Sequence, residues 1–181
     1  RFFGVGYYNP KSEITVRLLT QKREPIDKEF FGKKIKRALE LRKRLVRDTN
    51  AMRVISSEAD ELPGLIVDQY DEILVVQFLT LGMERLRPIV LEALEEMIPC
   101  RGIYERSDSG FRKIEGLEEK IGWIRQDCGA ETTIFEKNIR YRIRFGEGQK
   151  TGFYLDQREN RIALAALGIQ GEVLDAFCYT G

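Results

Sequence analysis

Histidine is missing from all 181 residues. That excludes histidine metal sites, imidazole proton shuttles and any nucleophile activated by histidine. Cysteine is scarce too: Cys100, Cys128 and Cys178 stand far apart, with no C-x-x-C pair among them. An odd and scattered set fits neither a disulfide framework nor a zinc site, so isolated cytoplasmic thiols and no metal are expected. No apolar run approaches the roughly 20 residues that cross a bilayer, so no membrane partner is expected. The opening Arg1-Phe2-Phe3-Gly4-Val5-Gly6 has neither an initiator methionine nor a signal-peptide layout. It reads as a chain cut at its front end.

What remains is a globular composition, 43% apolar and 33% charged, with a formal net charge of +1. That small net value hides two blocks of opposite sign. Residues 21–50 carry 11 basic and 5 acidic side chains, whereas residues 51–131 carry 9 basic and 17 acidic ones. Separate modules are expected, one of them able to face a polyanion.

Hydropathy patterning divides the chain further. Ile14, Val16 and Leu18 alternate with polar residues after an Asn9-Pro10-Lys11-Ser12 turn, which predicts a strand or hairpin over residues 1–20. From Asp27 to Asp48 the period is helical. Phe31, Ile35, Ala38, Leu39, Leu45 and Val46 form a stripe broken once, by Arg42. Lys33, Lys36, Lys43 and Arg44 occupy the other faces, either as a phosphate-facing surface or as an ordinary solvated face. Strands are predicted at Met52–Ser57, Leu65–Gln69 and Ile73–Phe78, a helix over Glu84–Ile98, and short strands at Gly102–Glu105 and Gly122–Arg125. This order suggests a small α+β domain.

A hairpin is predicted next, with Thr132–Glu136 and Ile139–Phe145 flanking Lys137-Asn138 and Arg140, Arg142 and Arg144 on one face. A polar loop from Gly146 to Gly152 follows. Asp156, with Glu159 three residues on, has the spacing of a capping box for a helix that Gly168 ends. Glu172–Phe177 reads as a buried strand running into a loop that ends at Gly181. In open α/β sheets, ligands bind where such strands end. Taken alone, an ordinary strand-to-turn is as good a reading.

Two stretches together say more. Gln149-Lys150-Thr151-Gly152-Phe153-Tyr154-Leu155-Asp156-Gln157-Arg158-Glu159-Asn160-Arg161 and Val173-Leu174-Asp175-Ala176-Phe177-Cys178-Tyr179-Thr180-Gly181 resemble motifs of the S-adenosylmethionine (SAM)-dependent large-subunit ribosomal RNA methyltransferases that form 5-methylcytosine. Ser57 through Asp68 is similar to that family's central-domain signature. Asn9-Pro10 through Leu19 is similar to the end of its RNA-binding PUA domain.

The resemblance implies an α+β chain in four parts. Residues 1–20 would end a PUA-like β-barrel, residues 21–50 form a basic helical linker, and residues 51–130 form the central α+β domain. Residues 131–181 would open a Rossmann-like methyltransferase domain with a hairpin, a helix and a first strand. It implies SAM contacts from Asp175, Phe177, Tyr179, Thr180 and Gly181, and from Phe153, Tyr154 and Arg158 just upstream. Gln149 and Lys150 would meet RNA, with Lys33, Lys36, Lys43 and Arg44 on the helix; a solvated loop is the alternative reading of the first two. The implied partner is ribosomal RNA.

No catalytic residue is assigned. The cysteine nucleophile that 5-methylcytosine formation needs is expected downstream of Gly181, because Cys178 lies in the cofactor loop instead. The chain alone is therefore expected to be inactive, and its unpaired last strand to be mobile, to fold back onto the 132–145 hairpin or to pair with another copy as a homodimer. A non-catalytic RNA-binding module, or an α/β enzyme with another cofactor or target atom, are the alternatives.

Overall fold

Ile73-Leu74-Val75-Val76-Gln77-Phe78 has almost no polar alternation, the pattern of a strand covered on both faces. In the computed structural model, which describes residues 1–174 and residue 176, all six are buried. They form the middle of a five-stranded sheet made by β3 (Ala51–Ser56), β4 (Leu65–Tyr70), β5 (Ile73–Phe78), β6 (Gly102–Ser107) and β7 (Lys120–Arg125). The strands lie in that order, and only β5 and β6 run parallel. That parallel pair needs a crossover, which α2 (Leu81–Arg85) and α3 (Arg87–Met97) provide.

One continuous helix was expected over Glu84–Ile98; the structure has two, meeting at Leu86. Pro88 explains the break. It has no N–H to give the Glu84 carbonyl, so α2 stops and α3 starts afresh with Pro88 in its first turn. A short helix, α4 (Phe111–Ile114), lies between β6 and β7, a stretch for which no element was predicted.

The long basic helix α1 (Lys28–Leu45) begins at Asp27, whose side chain accepts the Phe30 N–H at 2.9 Å. It ends earlier than the predicted Asp48, and Leu45 is 69% exposed rather than part of the stripe. Phe30, Phe31, Ile35 and Ala38 are buried with Val90, Leu91 and Leu94 of α3 and with Val54, Val67, Leu74 and Val76 of the sheet. The single break, Arg42, makes a two-pronged ion pair with Asp60 at 2.5 and 2.6 Å and also donates to the Arg53 carbonyl. An arginine in an apolar stripe is thereby satisfied within the fold.

At the front, β1 (Val5–Tyr8) and β2 (Val16–Thr20) form an antiparallel hairpin. Tyr7 docks it. Its hydroxyl donates to the Pro63 carbonyl at 2.7 Å and lies 2.8 Å from Thr80 Oγ1, while burial pushes its pKa up to about 12. Gly82 lies so close beneath the ring that a Cβ there would overlap it. At the hairpin tip the buried Glu115 accepts from Asn9 Nδ2 at 2.8 Å and from the Leu81 N–H at 3.1 Å, and pairs with Arg17 at 3.0 Å. The alternating residues Ile14, Val16 and Leu18 point to solvent, and Leu19 faces the core instead.

The other face of the sheet is covered by a second hairpin, β8 (Glu131–Glu136) and β9 (Ile139–Arg144). Ile134, Ile143, Phe145 and Phe153 close over Ala51, Tyr70, Ile73, Val75 and Tyr104. Tyr104, Trp123 and Phe145 form an aromatic cluster with centroids 5.2–5.4 Å apart. The polar loop then leads into a short turn at Leu155–Gln157 and helix α5 (Arg158–Ala166). Asp156 does not cap this helix. Gln157 occupies the cap position without a side-chain bond, and Asp156 pairs with Lys150 at 2.7 Å. The capping-box spacing was met, but a nearby cation took the carboxylate. Residues 172–174 are exposed and without strand pairing, contrary to the expected strand; apart from a turn at Ala176, the rest of it lies outside the described residues.

Candidate functional site

Between Phe145 and the turn at Leu155–Gln157 the chain runs for nine residues without helix or strand, yet part of it is deeply buried. Thr151 and Phe153 are 0% and 1% exposed. A loop rarely buries side chains unless its polar groups find partners, and here they do.

Three groups of contacts fix it. The first lies on β4. Asp68, wholly buried, forms a bidentate pair with Arg53 at 2.8 and 2.9 Å and accepts the Thr151 hydroxyl at 2.5 Å. Because Thr151 spends its proton on Asp68, the Tyr70 hydroxyl donates to Thr151 Oγ1 at 2.7 Å. The Phe153 N–H also bonds the Tyr70 oxygen. Burial, then the nearby Asp68 charge, pushes the Tyr70 pKa well above the ordinary phenol value, so Tyr70 remains a donor. The second lies on β6, where the guanidinium of the buried Arg106 reaches the Glu147 carbonyl at 2.8 Å and that of Gly148 at 3.2 Å. The third joins α5 to the hairpin. Arg161 pairs with the buried Glu136 at 2.6 and 2.8 Å, donates to the Tyr154 carbonyl at 3.0 Å and lies 4.5 Å over the Phe153 ring.

Around this frame sit the residues singled out from the sequence. Gln149 and Lys150 are exposed, and Lys150 lies 4.4 Å over the Tyr154 ring while paired to Asp156. That pairing, chiefly the Lys150 hydrogen bond, holds the Asp156 pKa below the ordinary carboxylate range. The Tyr154 hydroxyl donates to Gln149 Oε1. Arg158 is half-buried and pairs with Glu159 at 2.9 Å. Phe153 is a core residue, its ring 4.9 Å from that of Tyr141. Thus Gln149, Lys150 and Tyr154 come together in one polar cluster, with Phe153 packed inward beside them.

Lys33, Lys36, Lys43 and Arg44 share the solvent face of α1, where Lys33 pairs with Glu29 at 2.8 Å. Among the described residues, no hydrogen bond or ion pair joins these four to the loop. Asp175, Phe177, Tyr179, Thr180 and Gly181 lie outside the described residues.

Sequence reasoning missed Asp68, Tyr70, Arg106, Glu136 and Arg161. One signal was available: Asp68 is a carboxylate that directly follows the apolar run Leu65–Val67 on one strand, a position that requires a partner when buried. A groove of about 700 Å³ lies elsewhere, between the front hairpin and α1. Arg17, Lys34, Arg37, Glu24, Glu58 and Glu61 line it, and Lys34 and Arg37 already pair with Glu61 at 2.5 and 3.4 Å. Among the described residues, no cluster could hold a metal ion, and no helix is long and apolar enough to cross a membrane.

The fold has counterparts among solved structures. It matches part of a Streptococcus mutans protein described as a SAM-dependent methyltransferase, with a TM-score of 0.73 at 22% identity over 90% of this chain and 42% of that one. A methyltransferase solved in complex with S-adenosylhomocysteine matches with a TM-score of 0.75 at 21% identity, over 90% of this chain and 41% of that one. The sequence narrows the likeness. Proteins named ribosomal RNA large subunit methyltransferase I are 43% identical in Alteromonas mediterranea over 99% of this chain and 46% of that protein, and 40% identical in Vibrio cholerae over 96% and 45%. The chain therefore spans about half the length of the curated relatives it matches. No family model matches it.

Proposed function

We propose that this chain is part of a SAM-dependent methyltransferase that forms 5-methylcytosine in large-subunit ribosomal RNA in the cytoplasm. Similarity along nearly its whole length to proteins named for that substrate supports the reading. The observation that carries it is the anchored segment 147–161. The stretch whose sequence resembles a cofactor-pocket motif is the stretch that Asp68, Arg106 and Arg161 hold against the sheet.

On this reading the parts have distinct tasks. Residues 1–20 end a PUA-like module, 21–50 form the basic helix, 51–130 form the central domain, and 131–181 begin a Rossmann-like domain. SAM supplies the methyl group when bound. Tyr154 and Arg158 border it on one side, with Phe153 fixing their position from behind, and Asp175, Phe177, Tyr179, Thr180 and Gly181 form its loop. This chain's donor set fits such a role: a fixed aromatic, an arginine and a polar cluster beside a buried anchor, with no metal requirement. Lys33, Lys36, Lys43 and Arg44 meet RNA phosphates, and Gln149 and Lys150 approach the RNA near the target base. The cysteine that attacks the cytosine ring, so that the ring carbon can accept the methyl group, comes from the half of the protein beyond these residues. The chain by itself is then inactive.

The test is methyl transfer from labelled SAM to ribosomal RNA by the whole protein, followed by digestion to nucleosides. Label in 5-methylcytidine is expected. Label in another nucleoside would overturn the target assignment, and no label in RNA would overturn the reading altogether.

A further inference from the structure

The β8–β9 hairpin has two faces of opposite character, and the fold uses only one. Its inner face buries Ile134 and Ile143 against the central sheet. Its outer face carries Arg140, Arg142 and Arg144, all exposed, each set directly opposite a β8 residue: Phe135, Thr133 and Glu131 in turn. Phe135 is 41% exposed, and cross-strand neighbours have Cβ atoms roughly 5 Å apart, so its ring stands beside Arg140 in solvent.

The charges on this face are not consumed internally. Arg142 and Arg144 share one exposed acid, Glu131, at 3.6 Å each, and Arg144 also reaches Glu147 at 3.7 Å. Exposed pairs of that length contribute little and exchange readily for another anion. Arg140 has no ion pair among the described residues. Successive arginines on one side of a strand repeat at about 6.8 Å, on the scale of neighbouring phosphates in an extended nucleic-acid strand.

We propose that the outer face of β8–β9 is a docking platform for single-stranded RNA. Arg140, Arg142 and Arg144 hold consecutive phosphates, and an unstacked base lies on the Phe135 ring. The proposal deepens the ribosomal-RNA reading and rests on it. A single strand fits better than a duplex for a physical reason. An A-form helix keeps its bases stacked inside, where an aromatic on a flat hairpin cannot reach them, whereas unpaired bases stack on exposed aromatics. The hairpin is suited to hold such a strand because its position is fixed. Asn50 accepts the Phe135 N–H at 2.8 Å and donates to the Thr133 carbonyl at 3.4 Å, and Glu136 is locked to Arg161. The α5 end of that lock, Arg161, also fixes Tyr154, so a strand on the platform lies on the same rigid body as the proposed cofactor border.

The experiment titrates the 181-residue chain into fluorescently labelled RNA, a 12-nucleotide single strand and a 12-base-pair duplex, followed by anisotropy over a salt series. The variants are Arg140→Gln/Arg142→Gln/Arg144→Gln, Phe135→Ala, and Lys33→Gln/Lys36→Gln on α1; all alter exposed side chains, and circular dichroism melting checks that each is folded. The proposal expects tighter binding of the single strand than of the duplex. The triple arginine variant should lower the salt slope by about 2, three phosphates at roughly 0.7 each. Phe135→Ala should weaken single-strand binding about tenfold with the slope unchanged, the mark of lost stacking rather than lost charge. Equal affinity for duplex and single strand with no effect of Phe135→Ala would overturn it. So would binding that is lost only in the α1 variant, or no binding of the single strand at all. Labelling of ribosomal RNA by the whole protein decides the underlying function separately, so a failed platform and a failed function are told apart.

Discussion

Replacing Thr151 with valine should release the segment between the hairpin and α5 while leaving the central sheet intact. The two side chains are nearly isosteric, so the change removes one hydroxyl and little volume. Two hydrogen bonds go with it, the 2.5 Å bond to Asp68 and the 2.7 Å bond from Tyr70. Asp68 keeps both prongs of its pair with Arg53, so its loss is partial. Tyr70 fares worse, because its buried O–H is left without an acceptor. An unsatisfied buried donor costs about 1–3 kcal/mol, and about 2 kcal/mol is a fair central figure here. For a chain of this size that corresponds to a melting temperature lower by roughly 4–8 °C. Amide hydrogen exchange separates local from global loss. If the segment opens on its own, amides of residues 149–157 should lose about thirtyfold protection, 2 kcal/mol at 1.36 kcal/mol per decade. Amides of Ile73–Phe78 should lose no more than the global destabilisation requires. A variant whose exchange at residues 149–157 and melting temperature both match the parent would refute the anchoring argument.

Other outcomes follow from the same contacts. Gly82→Ala should loosen the β1–β2 hairpin, since the added Cβ overlaps the Tyr7 ring, and faster exchange confined to residues 5–20 would show it. Burial alone would raise the pKa of Glu115, but bonds from Ser12, Asn9 and the Leu81 N–H, with the Arg17 charge, hold it below the ordinary carboxylate value. A depressed carboxylate stabilises above its unfolded value and loses that contribution as pH falls through the folded one. The melting temperature should therefore fall more steeply on acidification for the parent than for Glu115→Gln; parallel curves would exclude the linkage. Removing residues 170–181 should shift the melting temperature by less than about 2 °C, because Val173 and Leu174 are exposed, and should reduce self-association seen by light scattering.

The parts of the fold that were legible in the sequence are those governed by local pattern. Strands β3, β4 and β5 fall within a residue or so of their predicted limits, because the Pro63-Gly64 and Tyr70-Asp71 turns punctuate them. The arginine alternation of β9 survives for the same reason, with Tyr141 and Ile143 facing inward. What was not legible depends on partners distant in sequence. Arg42 looked like a flaw in an apolar stripe until Asp60, 18 residues away, met it. Asp156 had the spacing of a cap, yet Lys150 competed for the same carboxylate. Buried Arg112 carried no local signal at all. Beside the nearby Glu118 carbonyl, its partners are the Phe78 carbonyl and Glu84, 34 and 28 residues away on β5 and α2. The candidate site divides along the same line: the motif residues stand out in sequence, but the buried groups on β4 and β6 that hold them do not.

In the proposed function, segment 147–161 forms one border of a SAM site. The most direct test is calorimetric SAM binding by the whole protein, comparing the parent with Tyr154→Ala and Arg158→Ala, two side chains outside the buried core. Measurable binding by the parent and at least tenfold weaker binding by each variant are expected, with melting temperatures within a few degrees. Undiminished SAM affinity in both variants would contradict that role.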